Sequence, residues 1–368
     1  MAGVRLRELG ITIGFLPPGP DNAITDIPGV WVGHETLIYD QPRIARTGVT
    51  VIMPRAGDIW KDNAFAGFYA LNGTGEMTGI HWLEESGLLC YPIVLTNTHH
   101  VGTAHEALVA YGQRSGQTTL SSLAVVAETW DGWLNDMDAF HLTHEHVITA
   151  LESAKPGAVE EGNVGGGTGM ICHDFKGGIG TASRLVECPG GQFTVGALVQ
   201  ANHGERKDLS IDGVPVGREL GYEHTPSPFP EEASTSSSII IVVATDAPLL
   251  PVQCKRLAKR AALGLARVGG IGHNGSGDIF LAFATGNHFP GTKTSIYELK
   301  MLPHHHLNIF FRAVIEAVEE SILNALTGAE TMTGYKNHTA YALPIDDLLQ
   351  VMSKYGRLES AGSRSTGI

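Results

Sequence analysis

The hydrophobic pattern along the chain alternates short apolar runs with longer amphipathic stretches. Apolar runs of strand length, rich in β-branched residues, lie at 49–53, 93–96, 123–127, 178–185 and 193–200. Apolar residues recur at helical spacing in 77–85, 102–111, 252–267 and 307–326. Groups of strands with helices between them predict sheets covered by helices, in a layered α/β fold.

One junction in this pattern is abrupt. A run of small hydroxyl residues at 234–238 leads directly into the apolar run IIIVVA at 239–244, which is typical of a fully buried strand. Ser238 is therefore expected at the rigid first position of a strand, whereas Ser237 belongs to a mobile segment. An N→O acyl shift and hydrolysis between them would leave a new amine beside the Ser238 hydroxyl. An α-amino group has a pKa of about 7.7–8.0 and can act as a base for such a nucleophile.

The segment before this junction is predicted to be an exposed loop. Residues 208–237 contain four prolines and three glycines, with little core-forming material after Leu220. The loop divides the chain into residues 1–237 and 238–368. Because the second piece begins with a strand that needs both faces covered, we expect the two pieces to form one folded domain.

Composition and charge narrow the class of protein. The chain has 368 residues, of which 43% are hydrophobic, so it can bury a substantial core. Its formal charge of −13 argues against nucleic acid and anionic membrane surfaces as partners. No stretch approaches the roughly 20 apolar residues that span a bilayer, and no signal peptide is recognisable. Four cysteines without C-x-x-C spacing predict core thiols in the cytoplasm, with neither disulfides nor a zinc site.

Glycine-rich and histidine-rich runs invite nucleotide-binding or metal-binding interpretations. The run GGGTG at 165–169 lacks the Gly-Lys-Ser/Thr ending of a phosphate-binding loop. The histidine runs at 99–100 and 304–306 point adjacent rings in different directions and have no acidic partner at ligand spacing. We therefore predict neither a cofactor nor a metal.

Several long motifs in a fixed order carry a family resemblance. They are NAITDIPGV, VGH, GGGTGM, DFKGGIG, SIIIVVATDAPLLP and NGSGD, which begin at residues 22, 32, 165, 174, 238 and 274. Together they resemble the DmpA-type L-aminopeptidase/D-Ala-esterase/amidases, relatives of the bacterial β-peptidyl aminopeptidases. The resemblance extends over essentially the whole chain.

The resemblance implies both a fold and an activity. The fold is α/β, an αββα four-layer sandwich of the DmpA/ornithine-acetyltransferase type, similar in layering to N-terminal-nucleophile hydrolases. The activity is that of a self-processing serine aminopeptidase/amidase, cut before Ser238 into a large subunit of residues 1–237 and a small subunit of residues 238–368. Expected substrates are small peptides, amides or esters whose N-terminal residue, L-α, D-Ala or β, has a free amine. Tetramers of cleaved heterodimers are the implied assembly.

The same resemblance implies roles for individual residues. Asn202 matches an oxyanion-hole asparagine, and Glu128 matches a glutamate that pairs with the ammonium group of the substrate. Ser276 and Asp278 match a serine and an acidic residue that relay protons and orient the nucleophile. Two positions after the glutamate, the resemblance implies a tyrosine, but this chain has Trp130. An indole donates a hydrogen bond but cannot transfer a proton, so we expect Trp130 to shape the substrate pocket.

Several alternatives stay open on sequence alone. The base is either the Ser238 α-amine or the Ser276/Asp278 pair. Ser236 and Ser237 are also possible nucleophiles, and the family has Gly or Asn where this chain has Ser237. An acyltransferase like ornithine acetyltransferase and an uncleaved, non-catalytic binding protein are the alternative functions.

Overall fold

The computed structural model describes residues 3–56, 59–114, 123–230, 237–289 and 296–358. Its strands are β1 (Trp31–Tyr39), β2 (Ala45–Met53), β3 (Ala64–Gly73), β4 (Leu88–Leu89), β5 (Ile93–Asn97), β6 (Val125–Thr129), β7 (Ile171–Cys172), β8 (Phe175–Lys176), β9 (Gly178–Cys188), β10 (Gly191–Asn202), β11 (Ser237–Thr245), β12 (Ser276–Ala284), β13 (Met332–Thr333) and β14 (Thr339–Ala340). Its helices are α1 (Ile80–Ser86), α2 (Val101–Arg114), α3 (His144–Ser153), α4 (Val216–Glu219), α5 (Pro251–Arg267), α6 (Leu307–Thr327) and α7 (Ile345–Lys354). Among these helices, none is both long and apolar enough to cross a bilayer.

Two sheets form the centre of the molecule. One has four strands in the order β1-β2-β5-β6, and the other has six in the order β4-β3-β12-β11-β10-β9. Helices α2 and α3 pack on the four-stranded sheet, while α5 and α6 pack on the six-stranded sheet. One apolar core joins the two sheets and a second lies under α5 and α6. The layers therefore follow the order αββα, which confirms the predicted fold.

Strand β11 lies inside the six-stranded sheet with both faces covered. It pairs antiparallel with β10 and parallel with β12. Ile239, Ile241 and Val243 face the core under α5 and α6, whereas Ile240 and Val242 face the core between the sheets. Because alternate side chains of a strand point to opposite faces, a strand buried on both sides needs an unbroken apolar run. The prediction of a buried strand here is confirmed.

The expectation of an exposed loop over residues 208–237 is wrong for its first part. Leu209, Ile211, Val214, Val216 and Leu220 are buried in the core under α5 and α6. The glycines and proline between them make turns that direct apolar side chains inward, which composition alone conceals. Exposed residues become frequent only after 220, and residues 231–236 of the predicted loop lie outside the described residues.

The helix expected at 77–85 begins later than its apolar spacing suggested. Met77 forms an antiparallel bridge with Ala127 of β6, so its backbone is engaged in sheet pairing. Gly79 has a φ of 75°, a left-handed conformation that ends the extended segment and lets α1 begin at Ile80. Met77 is therefore buried as part of an extended segment that pairs with β6, and it does not belong to the helix.

The N-terminal motif at 22–30 has a structural role. The Asn22 Oδ1 accepts a hydrogen bond from the Ser183 N–H at 2.9 Å, and its Nδ2 donates to the Glu320 Oε1 at 2.5 Å. The other oxygen of Glu320 accepts a hydrogen bond from the Nη2 of the buried Arg184 at 2.6 Å. Because buried charges require paired and hydrogen-bonded partners, this network ties the N-terminal segment to β9 and α6.

Candidate active site

Ser238 lies between two neighbouring strands near the start of β11. It is 2% exposed, and the sheet register pairs it with Asn202 of β10 and Gly277 of β12. The Ser238 hydroxyl donates to the carbonyl oxygen of Ser237 at 2.6 Å and accepts a hydrogen bond from the Gly277 N–H at 3.1 Å. The hydroxyl is thus held against the peptide group that precedes it.

Ser237 differs from its expected setting in a mobile segment. It is the first residue of β11 and pairs with Ser276 at the start of β12, so the ladder includes one residue more than predicted. The parallel partner strand provides the reason, since β12 begins directly opposite and supplies pairing to that point. The peptide bond between Ser237 and Ser238 is therefore held inside the sheet. Ser236, the other alternative nucleophile, lies outside the described residues.

Ser276 and Asp278 face the same side of β12, as their two-residue spacing predicted. The Ser276 hydroxyl donates to the Asp278 Oδ1 at 2.6 Å and lies 3.3 Å from the Ser237 Oγ. The backbone N–H of Asp278 donates to the Asn72 Oδ1 at 3.0 Å. Burial raises the pKa of Asp278, while hydrogen bonds from Ser276 and Asn72 oppose the shift. The structure therefore places a carboxyl group with a raised pKa one hydroxyl away from the junction.

Asn202 ends β10 with its side-chain amide fixed on both sides. Its Oδ1 accepts a hydrogen bond from the Ile171 N–H at 2.8 Å, and its Nδ2 donates to the Trp130 carbonyl oxygen at 3.0 Å. These two partners determine the orientation of the amide, because a carbonyl can only accept and an N–H can only donate. Among the described residues the second hydrogen of the Nδ2 group has no acceptor, and the sheet register places Asn202 beside Ser238.

Glu128 lies near the end of β6 and is 4% exposed. One carboxylate oxygen accepts a hydrogen bond from the Glu76 N–H at 3.0 Å, and the other accepts one from the Thr98 hydroxyl. Burial raises the pKa of Glu128, and these two hydrogen bonds oppose the shift. The carboxyl group is thus buried, with fixed partners that stabilise its ionised form.

A close approach at Gly75 links this carboxylate to the Ser238 end of the sheet. A Cβ added at Gly75 would lie 3.1 Å from the Gly277 Cα and 3.3 Å from the Glu128 Oε1. The glycine therefore allows the segment carrying Glu76 to pass between β6 and β12. The Glu128 carboxylate therefore lies across this segment from Gly277, the β12 residue that pairs with Ser238.

A small pocket with aromatic walls opens beside Asn202 and Ser237. It is lined by Trp130, Trp133, Ile171, Asn202, Phe229 and Ser237, among others. Trp133 contacts Phe229 edge-on, with ring centroids 5.1 Å apart. The indole of Trp130 thus lines a pocket at the junction. Phe229 comes from the segment that precedes Ser237, so the chain before the junction forms part of the wall.

Sequence reasoning missed several residues that support this site, and Lys176 is the clearest example. Its Nζ is buried and donates to the carbonyl oxygens of Met170 at 2.8 Å and Gly177 at 2.7 Å. Burial lowers the pKa of Lys176 to about 7. It fixes the turn that carries the N–H of Ile171, the partner of the Asn202 amide. The only signal in the sequence was a lysine inside a run of glycines and apolar residues.

Two side-chain clusters of the described residues have the composition of metal ligands. Cys172, His173 and His203 form a buried one, whereas Glu205, Asp208 and His273 form a partly exposed one. In the second, Glu205 already pairs with Lys207 at 2.5 Å and with His273 at 3.2 Å. The pairing accounts for that cluster as a surface network. All four cysteines are free thiols.

Comparisons with known proteins agree over nearly the whole length of the chain. The family model described as Peptidase family S58 matches residues 22–340. A β-peptidyl aminopeptidase of Sphingosinicella microcystinivorans is 44% identical over 375 residues, which cover 98% of this chain and 94% of that protein. A solved β-aminopeptidase of Burkholderia sp. is 49% identical with a TM-score of 0.90, covering 96% of this chain and 99% of the other. The solved L-aminopeptidase D-Ala-esterase/amidase of Ochrobactrum anthropi, described as a variant of the N-terminal-nucleophile hydrolase fold, is 43% identical with a TM-score of 0.89, covering 96% and 99%.

Proposed function

The chain belongs to peptidase family S58 and is an aminopeptidase/amidase, and we propose that Ser238 is its nucleophile, exposed by self-cleavage after Ser237. One observation carries the proposal. The Ser238 hydroxyl lies 2.6 Å from the carbonyl oxygen of the preceding residue and accepts a hydrogen bond from the Gly277 N–H. The relatives are hydrolases by name, which favours hydrolysis over the acyl transfer and binding-only alternatives.

Self-cleavage would proceed in two steps. The Ser238 Oγ attacks the carbonyl carbon of Ser237, the C–N bond breaks, and the hydroxyl proton ends on the departing α-amine. Water then hydrolyses the ester and leaves a carboxylate on Ser237 and a free hydroxyl on Ser238. The products are residues 1–237 and 238–368. We assign the relay of that proton to the Ser276 hydroxyl, which is bonded to Asp278 and lies 3.3 Å from the Oγ of Ser237, the residue before the scissile bond.

Turnover would use the same nucleophile on an external peptide. Glu128 binds the substrate ammonium group, the Ser238 Oγ attacks the adjacent carbonyl, and the leaving amine takes a proton as the acyl-enzyme forms. The second Nδ2 hydrogen of Asn202 stabilises the oxyanion, a contribution typically worth about 2.7–4 kcal/mol. The Trp130 indole contacts the acyl side chain. Water completes the cycle, with the new Ser238 α-amine or the Ser276/Asp278 pair as the base.

The substrates are peptides, and we propose that they need a free N-terminal amine. Glu128 is the buried carboxylate that enforces this requirement, because an acylated amine leaves it without a cationic partner. The names of the Sphingosinicella and Burkholderia relatives favour β-amino acids, while that of the Ochrobactrum enzyme favours L-amino acids and D-Ala derivatives. A panel of p-nitroanilides of these residue types, each with an N-acetylated counterpart, measures the preference. Equal hydrolysis of both members of each pair would contradict the role of Glu128.

The nucleophile assignment is tested by Ser238→Ala. This variant is expected to stay uncut and inactive, whereas Ser353→Ala, which removes an exposed hydroxyl from α7, should behave as the wild type. Denaturing electrophoresis detects the cleavage, and the release of p-nitroaniline measures turnover. A Ser238→Ala protein that still cleaves itself would contradict the assignment. The implied tetramer of cleaved heterodimers is tested separately by light scattering of the cut enzyme, and the cytoplasmic location stays a prediction.

A further inference from the structure

A cluster of one thiol and two imidazoles lies next to Asn202. Cys172 ends β7, His173 follows it in the turn to β8, and His203 comes directly after β10. All three side chains are buried, and one potential ligand atom of each lies within 4.8 Å of the others. We propose that these three residues bind a divalent transition metal ion of the zinc type, and that its binding inhibits the enzyme.

The two ring nitrogens of His173 have distinct roles. Its Nδ1 lies 3.0 Å from the carbonyl oxygen of Glu205, and since a carbonyl only accepts, the proton must be on Nδ1. The Nε2 then has a free lone pair, and this buried atom has no hydrogen-bond partner among the described residues. A histidine that donates one N–H to a carbonyl while its other nitrogen is free has the arrangement of a typical metal ligand.

His203 and Cys172 supply the other two ligands. The Cys172 Sγ lies 3.8 Å from the His203 Nδ1, and the His203 Nε2 is also buried without a partner in the described part of the chain. A tetrahedral zinc ion, with bonds of about 2.3 Å to sulfur and about 2.0 Å to nitrogen, holds such atoms roughly 3.5 Å apart. The sulfur–nitrogen separation of 3.8 Å is close to this value, and the ligand atoms of the cluster all lie within 4.8 Å of one another. A ligand set of one thiolate and two imidazoles suits zinc and cobalt.

The backbone holds the two halves of the cluster together. The His173 N–H donates to the carbonyl oxygen of His203 at 2.7 Å, so the turn is bonded to the residue after β10. Asp174 lies close to the cluster and holds hydrogen bonds from the Arg206 N–H at 3.0 Å and the Tyr222 hydroxyl at 2.7 Å. Its negative charge favours a bound cation, whereas Lys176 and the Arg206 guanidinium, which donates to the Asp174 carbonyl oxygen at 2.6 Å, oppose it. The Cys172 thiol releases its proton to solvent when the metal binds, which supplies a second negative charge.

Metal binding would affect Asn202, the proposed oxyanion-hole residue, because Asn202 and its hydrogen-bond partner each directly precede a metal ligand in the chain. Asn202 directly precedes His203, and Ile171, whose N–H donates to the Asn202 Oδ1, directly precedes Cys172. Contraction of the cluster therefore moves both members of that hydrogen bond. His203 also lines the aromatic pocket, so one of the three ligands borders that pocket. The inhibition, unlike the binding itself, rests on the proposed role of Asn202.

Spectroscopic titration with Co²⁺ alone tests binding without any substrate. The wild type should show a sulfur-to-cobalt charge-transfer band that Zn²⁺ abolishes by displacement, and the inactive Ser238→Ala protein should show the same band. Cys172→Ser should lose the band. The matched control is Cys254→Ser, which makes the same change at another fully buried free thiol and should keep it. His173→Asn is a second ligand variant, because asparagine tolerates the left-handed φ of 49° at this position.

Turnover in the presence of Zn²⁺ tests the consequence. Removing a ligand should raise the Zn²⁺ concentration for half-inhibition by at least ~10–100-fold in Cys172→Ser and His173→Asn, and leave it unchanged in Cys254→Ser. A wild type without the charge-transfer band, or Cys172→Ser with an unchanged one, would overturn the metal site. A band without loss of turnover would overturn the inhibition. An active Ser238→Ala protein would instead contradict the proposed function, so the two failures are distinguishable.

Discussion

Asn202 and Ser238 are cross-strand partners at the adjoining ends of β10 and β11. The register brings an amide, one of whose hydrogens has no acceptor in the described part of the chain, beside a hydroxyl, and both side chains are nearly inaccessible. Neither residue needs a flexible loop to reach the other, since both belong to strands of one buried sheet. The geometry of the proposed chemistry is therefore set by sheet pairing.

Substituting Asn202 should affect the rate more than substrate binding. In Asn202→Ala, kcat should fall by about 10²–10³-fold with KM little changed, because the lost hydrogen bond is made mainly in the transition state. Steady-state kinetics on a p-nitroanilide substrate measure both values. Asn308→Ala, at an exposed position on α6, is the matched control. A wild-type kcat in Asn202→Ala would remove this residue from the mechanism.

Glu128→Gln should impair the binding of substrates with a free amine. We expect kcat/KM to fall about 10–100-fold, as a charge-assisted hydrogen bond is worth about 1.5–3 kcal/mol. Because burial raises the pKa of Glu128, the carboxylate is lost as pH falls through that raised value, so the acidic limb of wild-type kcat/KM should lie above pH 4.5. The limb should be absent in Glu128→Gln and present in Glu85→Gln, an exposed control on α1. Its persistence in Glu128→Gln would assign it to another group.

Asp278→Asn should slow self-cleavage. The Asp278 carboxylate accepts a hydrogen bond from the Ser276 hydroxyl, which lies near the junction. The amide of an asparagine cannot take up a proton as this carboxylate can. Loss of a positioned acid or base typically costs about 10²–10⁴-fold in rate. A time course of the uncut chain on denaturing gels measures the change, with the exposed Asp138→Asn as control. Cleavage at the wild-type rate would show that Asp278 takes no part.

Lys176→Met should destabilise the fold and change its pH dependence. The substitution removes the buried hydrogen bonds from Lys176 to the Met170 and Gly177 carbonyls, and we expect a loss of about 2–5 kcal/mol in the free energy of unfolding. The pKa of Lys176 is about 7 in the folded chain and 10.5 as the usual value, so between these pH values the unfolded chain holds more protons. Wild-type stability should therefore rise with pH across that window. Urea unfolding near ~pH 6 and ~pH 9 should show the gap between wild type and variant widening. The exposed Lys259→Met should show no such change.

Much of the fold was predictable because its signal is local. The unbroken apolar run after Ser238 predicted a strand buried on both faces, and helical spacing predicted α5 and α6. The burial of Leu209 and Leu220 was not predicted, because glycine and proline between them resemble an exposed loop and the partner core comes from elsewhere in the chain. The local pattern thus predicted which segments form strands and helices more reliably than it predicted which residues are buried.

The candidate site residues were identified from the family motifs and not from spacing, and their catalytic roles stay predictions. Ser276 and Ser238 are brought together by parallel pairing of β11 with β12, which are separated in sequence by α5. The cluster of Cys172 and His203 was missed for the same reason, since thirty residues and three strands separate these two members. The expectation of no zinc site followed from the absence of C-x-x-C spacing, which cannot detect ligands assembled by the fold.

Intact-mass spectrometry of active, purified enzyme determines whether the chain cuts its own backbone to free the nucleophile. Self-cleavage after Ser237 gives two species, residues 1–237 and residues 238–368, the second beginning with an unmodified serine amine. A fully active preparation that contains one uncut chain of 368 residues would contradict it.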